Sequence, residues 1–332
     1  MAGSALYFTA PGSVETDTID VGPPGPEAVT VETVASAISA GTELLVYRGQ
    51  TPTDLPRDET IDALAGEFSY PMRYGYAAVG EVTGVGESVG DDWLGRRVFS
   101  FSPHQTRFTE TPDTLVPLPS GLDAETATLV PSIETALTVT HDLAPRLGEQ
   151  IVVFGAGVIG LCTTWLLADF PLDRLVVVDP IERRRTVARE FGADEAIHPD
   201  DLGDRVADVD AAVELSGRPA VLDDAIAAVG YGGRVVVGSW YGTKRAALDL
   251  GGRFHRDRIT ITSSQVSTIA PELRGRWDTA RRLSTVIDLL ARADRSPATD
   301  LISHRIPFAD APEAYELLDR RPEEALQVVL IY

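Results

Sequence analysis

The sequence predicts an α/β chain that combines a β-rich region with a doubly wound parallel sheet. Three observations carry this reading. The chain has 332 residues, and at about 150 residues per domain that length favours two cores. Over the first third, apolar residues alternate in short runs broken by Gly and Pro, as half-buried strands do. From 132 to 268 the texture changes to nearly continuous Val- and Ile-rich runs separated by helical patterns. A parallel sheet covered on both faces requires that texture.

Taken in order, EAVTVETVASAIS, YAAVGEVTGVG and RRVFSFS read as strands of the first region, with turns expected at Gly84, Gly86 and Gly95. EQIVVFG, DRLVVVD, DAAVELSG, GGRVVVGSW and DRITITSS read as parallel strands, and GVIGLCTTWLLADF and RPAVLDDAIAAVG as helices between them. Beyond 268, WDTARRLSTVIDLLARA and ADAPEAYELLDR read as helices and ALQVVLIY as a last strand. The expected organisation is a discontinuous β-rich domain of 1–131 and 269–332, with a parallel-sheet domain of 132–268 inserted.

A hydrophobic fraction of 44% excludes intrinsic disorder. Fifty acidic against 29 basic residues leave a net charge of -21, a field that repels phosphate backbones, so nucleic acid is not an expected partner. Lys244 is the only lysine. An acidic, nearly lysine-free chain resembles the proteins of extreme halophiles, in which molar salt screens self-repulsion. A GC-rich genome would explain the arginines but not the acidity. Cys162 is the only cysteine, so neither an intrachain disulfide nor a cysteine metal cluster is available, and its apolar run suits a buried hydrophobe. No stretch approaches a membrane span, and MAGSALYFTAPGSVE lacks the basic and apolar regions of a signal peptide. A soluble cytoplasmic protein with no membrane partner is expected.

The strongest chemical signal is Gly155-Ala156-Gly157-Val158-Ile159-Gly160. It follows the strand IVVF, opens a helix, and is followed by a second strand ending in Asp179, 19 residues after Gly160. That context points to a dinucleotide. Gly155 permits the tight turn, Gly157 lets the backbone approach a pyrophosphate, and Gly160 allows close helix–strand packing. The helix N-terminus, at Val158 and Ile159, offers N–H groups to the anion. Asp179 is suited to accept the adenosine ribose hydroxyls and to repel a 2′-phosphate, which favours NAD over NADP. The run Arg183, Arg184 and Arg185 leaves NADP open, with Arg184 taken as the cofactor contact, although the solvated start of a helix explains the run as well. Because ligands of open parallel sheets lie at the carboxyl ends of the strands, Ser216, Ser239 and Ser264 join the cofactor-binding candidates.

The whole chain resembles the medium-chain dehydrogenase/reductase superfamily. Ser39-Ala40-Gly41-Thr42-Glu43, Tyr74-Gly75-Tyr76-Ala77-Ala78-Val79-Gly80 and Pro103-His104-Gln105 resemble its bacteriochlorophyllide a dehydrogenase-like branch. The resemblance implies a GroES-like domain beside a Rossmann domain, Thr135 beside the nicotinamide, and a homodimer joined through the strand edge at ITITSSQV. It also raises zinc. Ala40, Tyr76, Ala77 and Val130 stand where zinc members carry ligands, and none is a serviceable donor. Neither zinc nor another metal is expected. A substitute set of Glu43, His104 and Glu134 has no supporting spacing.

Without zinc, another group must stabilise the developing oxyanion. Tyr76 is the first candidate, His104 the second as a titratable ring, and Glu43 a group to orient either. The plain alternatives are that Tyr76 fills space and that His104 is a surface turn residue. Two function classes follow. One is a zinc-independent NAD(P)-dependent oxidoreductase acting on a small alcohol or carbonyl, or instead reducing an enone or quinone. The other is a nucleotide-binding sensor without turnover.

Overall fold

The computed structural model describes residues 2–58, 60–293 and 295–332. The chain begins with an antiparallel hairpin of β1 (Ala2–Ala10) and β2 (Ser13–Asp20). It continues through β3 (Val29–Ile38), α1 (Ala40–Tyr47), β4 (Ala78–Val85), β5 (Arg97–Ser100), β6 (Arg107–Glu110), β7 (Val116–Pro117) and α2 (Ala124–Ala127). Then α3 (Val130–Leu143) leads into β8 (Gln150–Phe154), α4 (Val158–Leu167), β9 (Arg174–Val178), α5 (Glu182–Glu190) and β10 (Glu195–Ile197). The alternation goes on with α6 (Leu202–Arg205), β11 (Val209–Glu214), α7 (Val221–Ala228), β12 (Val229–Val237), α8 (Arg253–Arg256) and β13 (Thr260–Ser263). The chain closes with α9 (Thr279–Arg292), α10 (Ala298–Leu301), β14 (Ile302–Pro307), α11 (Ala311–Arg320) and β15 (Gln327–Ile331).

Two compact units result, Met1–Pro131 with Leu283–Tyr332, and Ser132–Arg282. In the first, a seven-stranded sheet runs β14-β15-β3-β4-β5-β7, with β6 also paired to β3. One core of this unit gathers Leu6, Phe8, Ile38, Val46, Tyr315 and Leu330, and another lies under Val29, Val31, Val82, Val98 and Phe108. Gly84, expected in a turn, instead lies inside β4 opposite Thr30 of β3, because the alternating apolar residues carry the strand on to Val85. The β1–β2 hairpin, β10 and β14 went unread in the sequence. β10 is three residues long, too short for a period to register, and β14 mixes His304 and Arg305 with a closing proline.

In the second unit six parallel strands run β10-β9-β8-β11-β12-β13. Their Val and Ile side chains are buried on both faces, as Val152, Val176, Val213 and Val235 illustrate. The chain winds outward from β8 through β9 to β10, then returns to β11 on the other side of β8. This reversal opens a crevice at the carboxyl ends of β8 and β11, the usual ligand position in open α/β sheets. Cys162 is buried in α4, and its thiol is held well above its ordinary range by burial. Among the described residues no helix is long and apolar enough to cross a membrane.

A buried ion pair within this unit joins α3 to α9. Glu134 Oε1 lies 2.9 Å from Arg282 Nε, and each side chain is 4% exposed. Arg282 also donates to Thr138 Oγ1 at 3.3 Å. Burial pushes the Glu134 carboxyl above its usual range, and the guanidinium draws it back down. Nearby, the His141 and Trp277 rings meet edge to face at 4.4 Å, with Arg281 4.2 Å over the indole. Trp277 therefore packs a helix start. Removing one partner of a buried pair typically costs about 3–5 kcal/mol. Urea unfolding of Arg282→Met is expected to show a loss of that order, and the double variant with Glu134→Leu is expected to recover part of it. A single variant as stable as the parent would remove the ion pair from the account.

Candidate active site

The second unit presents a cradle at the end of β8. Gly155 sits at φ +95°, and a Cβ there would lie 2.7 Å from the Ser216 backbone. A Cβ on Gly160 would lie 1.8 Å from the Gly155 carbonyl oxygen, so no side chain fits. A Cβ on Gly157 would meet nothing within 4 Å, so the backbone is open where an anion would approach. Helix α4 starts at Val158, followed by Ile159, with Gly157 as its N-cap and so no side-chain cap. Free N–H groups and the helix dipole both favour a phosphate there.

Asp179, just beyond β9, is only 4% exposed. Its Oδ2 accepts the Ala156 N–H at 2.8 Å and its Oδ1 the Ile181 N–H at 2.8 Å, so the carboxylate also ties the glycine turn to β9. Arg185 donates to the Asp179 carbonyl at 2.6 Å and pairs with Glu182. Arg184 is half-buried in α5, and Thr135 is half-buried in α3. Ser216 and Ser239 follow β11 and β12, and their hydroxyls bond protein groups. The Ser216 hydroxyl donates to Glu214, and Ser239 Oγ accepts the Gly217 N–H at 2.9 Å. Ser264, past β13, donates its N–H to the Val237 carbonyl at 2.8 Å.

In the first unit the three nominated side chains form one connected cluster. The half-buried Tyr76 hydroxyl donates to Ser39 Oγ at 2.5 Å. Ser39 is the N-cap of α1, and Glu43 Oε1 reaches back to accept its backbone N–H at 2.7 Å. Glu43 Oε2 accepts the Tyr315 hydroxyl and lies 3.1 Å from His104 Nε2. On its other side His104 Nδ1 lies 2.7 Å from Ser36 Oγ, itself 2.9 Å from the Tyr332 hydroxyl. Glu43, His104 and Ser36 are fully buried. The reading of His104 as a surface turn residue is thereby corrected. Gly75, at φ +103°, makes room for the ring, since a Cβ there would lie 2.5 Å from His104 Cδ2.

Burial raises the phenols of this cluster. Tyr76 is pushed up to about 12, mainly by burial, against the lowering effect of its bonds to Ser39 and Thr42. Tyr315 and Tyr332 are raised further, again first by burial and then by the Glu43 charge. All three phenols therefore carry their protons at neutral pH. Sequence reasoning missed Ser36, Tyr315 and Tyr332. Tyr315 lies 272 positions from Glu43, inside an ordinary amphipathic helix, and no local pattern announces the contact.

This architecture recurs among known proteins. A family model described as zinc-binding dehydrogenase matches residues 158–285. D-guloside 3-dehydrogenase of Escherichia coli K12 is 25% identical over 313 residues, covering 87% of this chain and 88% of the relative. The 2-desacetyl-2-hydroxyethyl bacteriochlorophyllide A dehydrogenase of Cereibacter sphaeroides is 26% identical over 350 residues, covering 99% and 98%. The crystal structure of an Escherichia coli CFT073 short chain alcohol dehydrogenase complexed with NADH superposes with a TM-score of 0.80 at 18% identity, covering 100% of this chain and 99% of that one. The chain has the NAD(P)-binding oxidoreductase fold of these dehydrogenases, and its match to the zinc-binding dehydrogenase model lies in the parallel-sheet unit and the start of α9.

The matching family model is named for zinc, and the side chains present do not fit a zinc site. Ala40, Ala77 and Val130 have no donor atoms, and the Tyr76 hydroxyl is bonded to Ser39. Glu43 and His104 bond each other and their neighbours, while Glu134 is held by Arg282. Among the described residues no three His, Cys, Asp or Glu side chains converge as a metal site. Elemental analysis of protein purified without added metal is expected to find well under one zinc per chain. About one tightly held zinc per chain would contradict this donor-set argument.

Proposed function

We propose that the chain is a zinc-independent NAD(P)-dependent oxidoreductase moving a hydride to or from a small alcohol or carbonyl substrate. The observation that carries this reading is the Tyr76 hydroxyl, half-buried and protonated, bonded to Ser39 at one end of a polar network whose Glu43, His104 and Ser36 are fully buried. The dinucleotide, when bound, supplies the hydride or accepts it. Gly155 to Gly160 and Asp179 are the residues suited to hold it.

Tyr76 is the proton donor in reduction. Its O–H bond breaks as the substrate oxygen takes the proton. A proton from solvent restores the phenol through the Ser39 hydroxyl, which accepts that proton as it gives up its own. In oxidation the same proton moves the other way. Donation to the charge that develops on the substrate oxygen is worth most in a dry site, where solvent does not compete. Glu43 fixes Ser39 through its backbone N–H, and His104 with Tyr315 fixes Glu43. Because His104 is fully buried, it acts through Glu43 as a positioning residue.

We read the chain as a member of the bacteriochlorophyllide a dehydrogenase-like branch. The motifs at Ser39–Glu43 and Tyr74–Gly80, and the near full-length likeness to the Cereibacter enzyme, support that reading. Relatives named as dehydrogenases of a guloside and of a hydroxyethyl bacteriochlorophyllide support a hydroxyl-bearing substrate. The enone or quinone reductase reading keeps one observation in its favour, since a donor set unfit for zinc suits a substrate that needs less polarisation. The edge strand β13, with Thr260, Thr262 and Ser263 exposed, supports a homodimer formed by pairing two such edges. The charge of -21 supports a cytoplasm of high salt.

Two outcomes are expected. Tyr76→Phe keeps the ring and removes the donor, so kcat should fall by about 10²–10³ while NADH affinity stays within about twofold. Steady-state kinetics on an alcohol and carbonyl panel, with parallel NADH titration, checks this; an unchanged kcat removes Tyr76 from the chemistry. Asp179→Ser should weaken NADH relative to NADPH by about 1–3 kcal/mol, roughly fivefold to 150-fold, because a like-charge repulsion of the 2′-phosphate disappears. A parent chain that binds NADPH better than NADH would shift the specificity to the arginines of α5.

A further inference from the structure

Glu214, at the carboxyl end of β11, is fully buried and lies outside the machinery described so far. Its charge is met by neutral donors. Oε1 accepts the Ser216 N–H at 2.8 Å and the Ser216 hydroxyl, and Oε2 accepts the Tyr241 hydroxyl at 2.6 Å. A buried carboxylate held this way is expensive, and an apolar strand end would pack at lower cost. What the arrangement accomplishes is a junction between two loops. The loop after β11 carries Ser216 and Gly217, and the loop after β12 carries Ser239, Tyr241 and Lys244. Besides the Glu214–Tyr241 bond, Ser239 Oγ accepts the Gly217 N–H at 2.9 Å, and the Lys244 ammonium donates to the Gly217 carbonyl.

The position of this junction defines its role. Asp179 marks the adenosine side, beyond β9, while β11 and β12 lie on the opposite side of β8. The Ser216 backbone abuts Gly155 so closely that a Cβ there would lie 2.7 Å from it. The two joined loops therefore continue the cradle away from adenosine, where the nicotinamide half of a dinucleotide extends. We infer that Glu214 is a positioning residue for the nicotinamide half of the cofactor, with Tyr241 as the latch that joins the two loops beneath it. This inference rests on the dinucleotide reading above.

The test separates the two halves of the ligand. NADH and AMP are titrated into the parent chain, Tyr241→Phe, Glu214→Leu and Glu214→Gln, each checked for unaltered folding by circular dichroism. In Tyr241→Phe the NADH Kd is expected to rise about tenfold while the AMP Kd stays within about twofold. In Glu214→Gln the amide oxygen still accepts from Ser216 and the amide nitrogen can donate to the Tyr241 oxygen. Glu214→Leu, which keeps neither bond, is expected to raise the NADH Kd about tenfold with AMP within about twofold, and Glu214→Gln to recover most of that loss. A loss in Glu214→Gln as large as in Glu214→Leu overturns the role of these bonds. An unchanged NADH Kd in Tyr241→Phe, or an equal loss for NADH and AMP, overturns the inference. A parent chain that binds neither ligand overturns the dinucleotide reading and the inference together.

Discussion

The nucleotide-binding unit depends on three backbone segments passing within contact distance at one turn. The carbonyl of Gly155, the first turn of α4 at Gly160 and the loop at Ser216 occupy a space in which no Cβ fits at either glycine. That close approach brings the end of β8, the N-terminus of α4 and the end of β11 to one point. It leaves Gly157 open beside uncapped N–H groups and sets Asp179 to tie the turn to β9. A parallel sheet whose strand order reverses at β8 provides the crevice, and the glycines make it approachable by a pyrophosphate.

The first unit solves a different problem. It buries Glu43 and His104 completely, and it satisfies them with Ser36, Tyr315, Tyr332 and the Ser39 backbone. A network satisfied at every member rigidifies its surroundings, whereas one left half satisfied would be costly. Tyr76, like Ser39 and Tyr332, is half-buried, and its proton is secured by the same burial that raises the other phenols. Glu43 and His104 are committed to each other and to their neighbours inside this network, so a chain that matches a family model named for zinc does not offer them to the metal.

Much of this was legible in the sequence. The Val- and Ile-rich runs announced the parallel strands, because burial on both faces leaves no polar positions to obscure them. The glycine turn and Asp179 were legible because their chemistry is local and their spacing short. Tyr76, His104 and Glu43 were nominated from separate motifs, and the structure brings them into one hydrogen-bonded cluster. The supporting residues were not legible. Tyr315 and Tyr332 reach the cluster through tertiary packing of α11 and the chain beyond β15, and Gly75 serves a ring 29 positions away. Glu214 reads as one polar residue in an apolar strand until the Tyr241 loop is placed against it.

The proposed activity is a zinc-independent hydride transfer between a nicotinamide dinucleotide and an alcohol or carbonyl. The most direct measurement follows isotope. Chelator-dialysed protein in molar salt is incubated with NAD and a panel of alcohols deuterated at the carbinol carbon, and the nicotinamide is analysed by mass spectrometry. The account predicts deuterium at the nicotinamide ring with at least one alcohol of the panel. Saturable NADH binding without label transfer from any alcohol, and without NADH oxidation by aldehydes, quinones or enones, would contradict it and leave a nucleotide-binding protein without turnover.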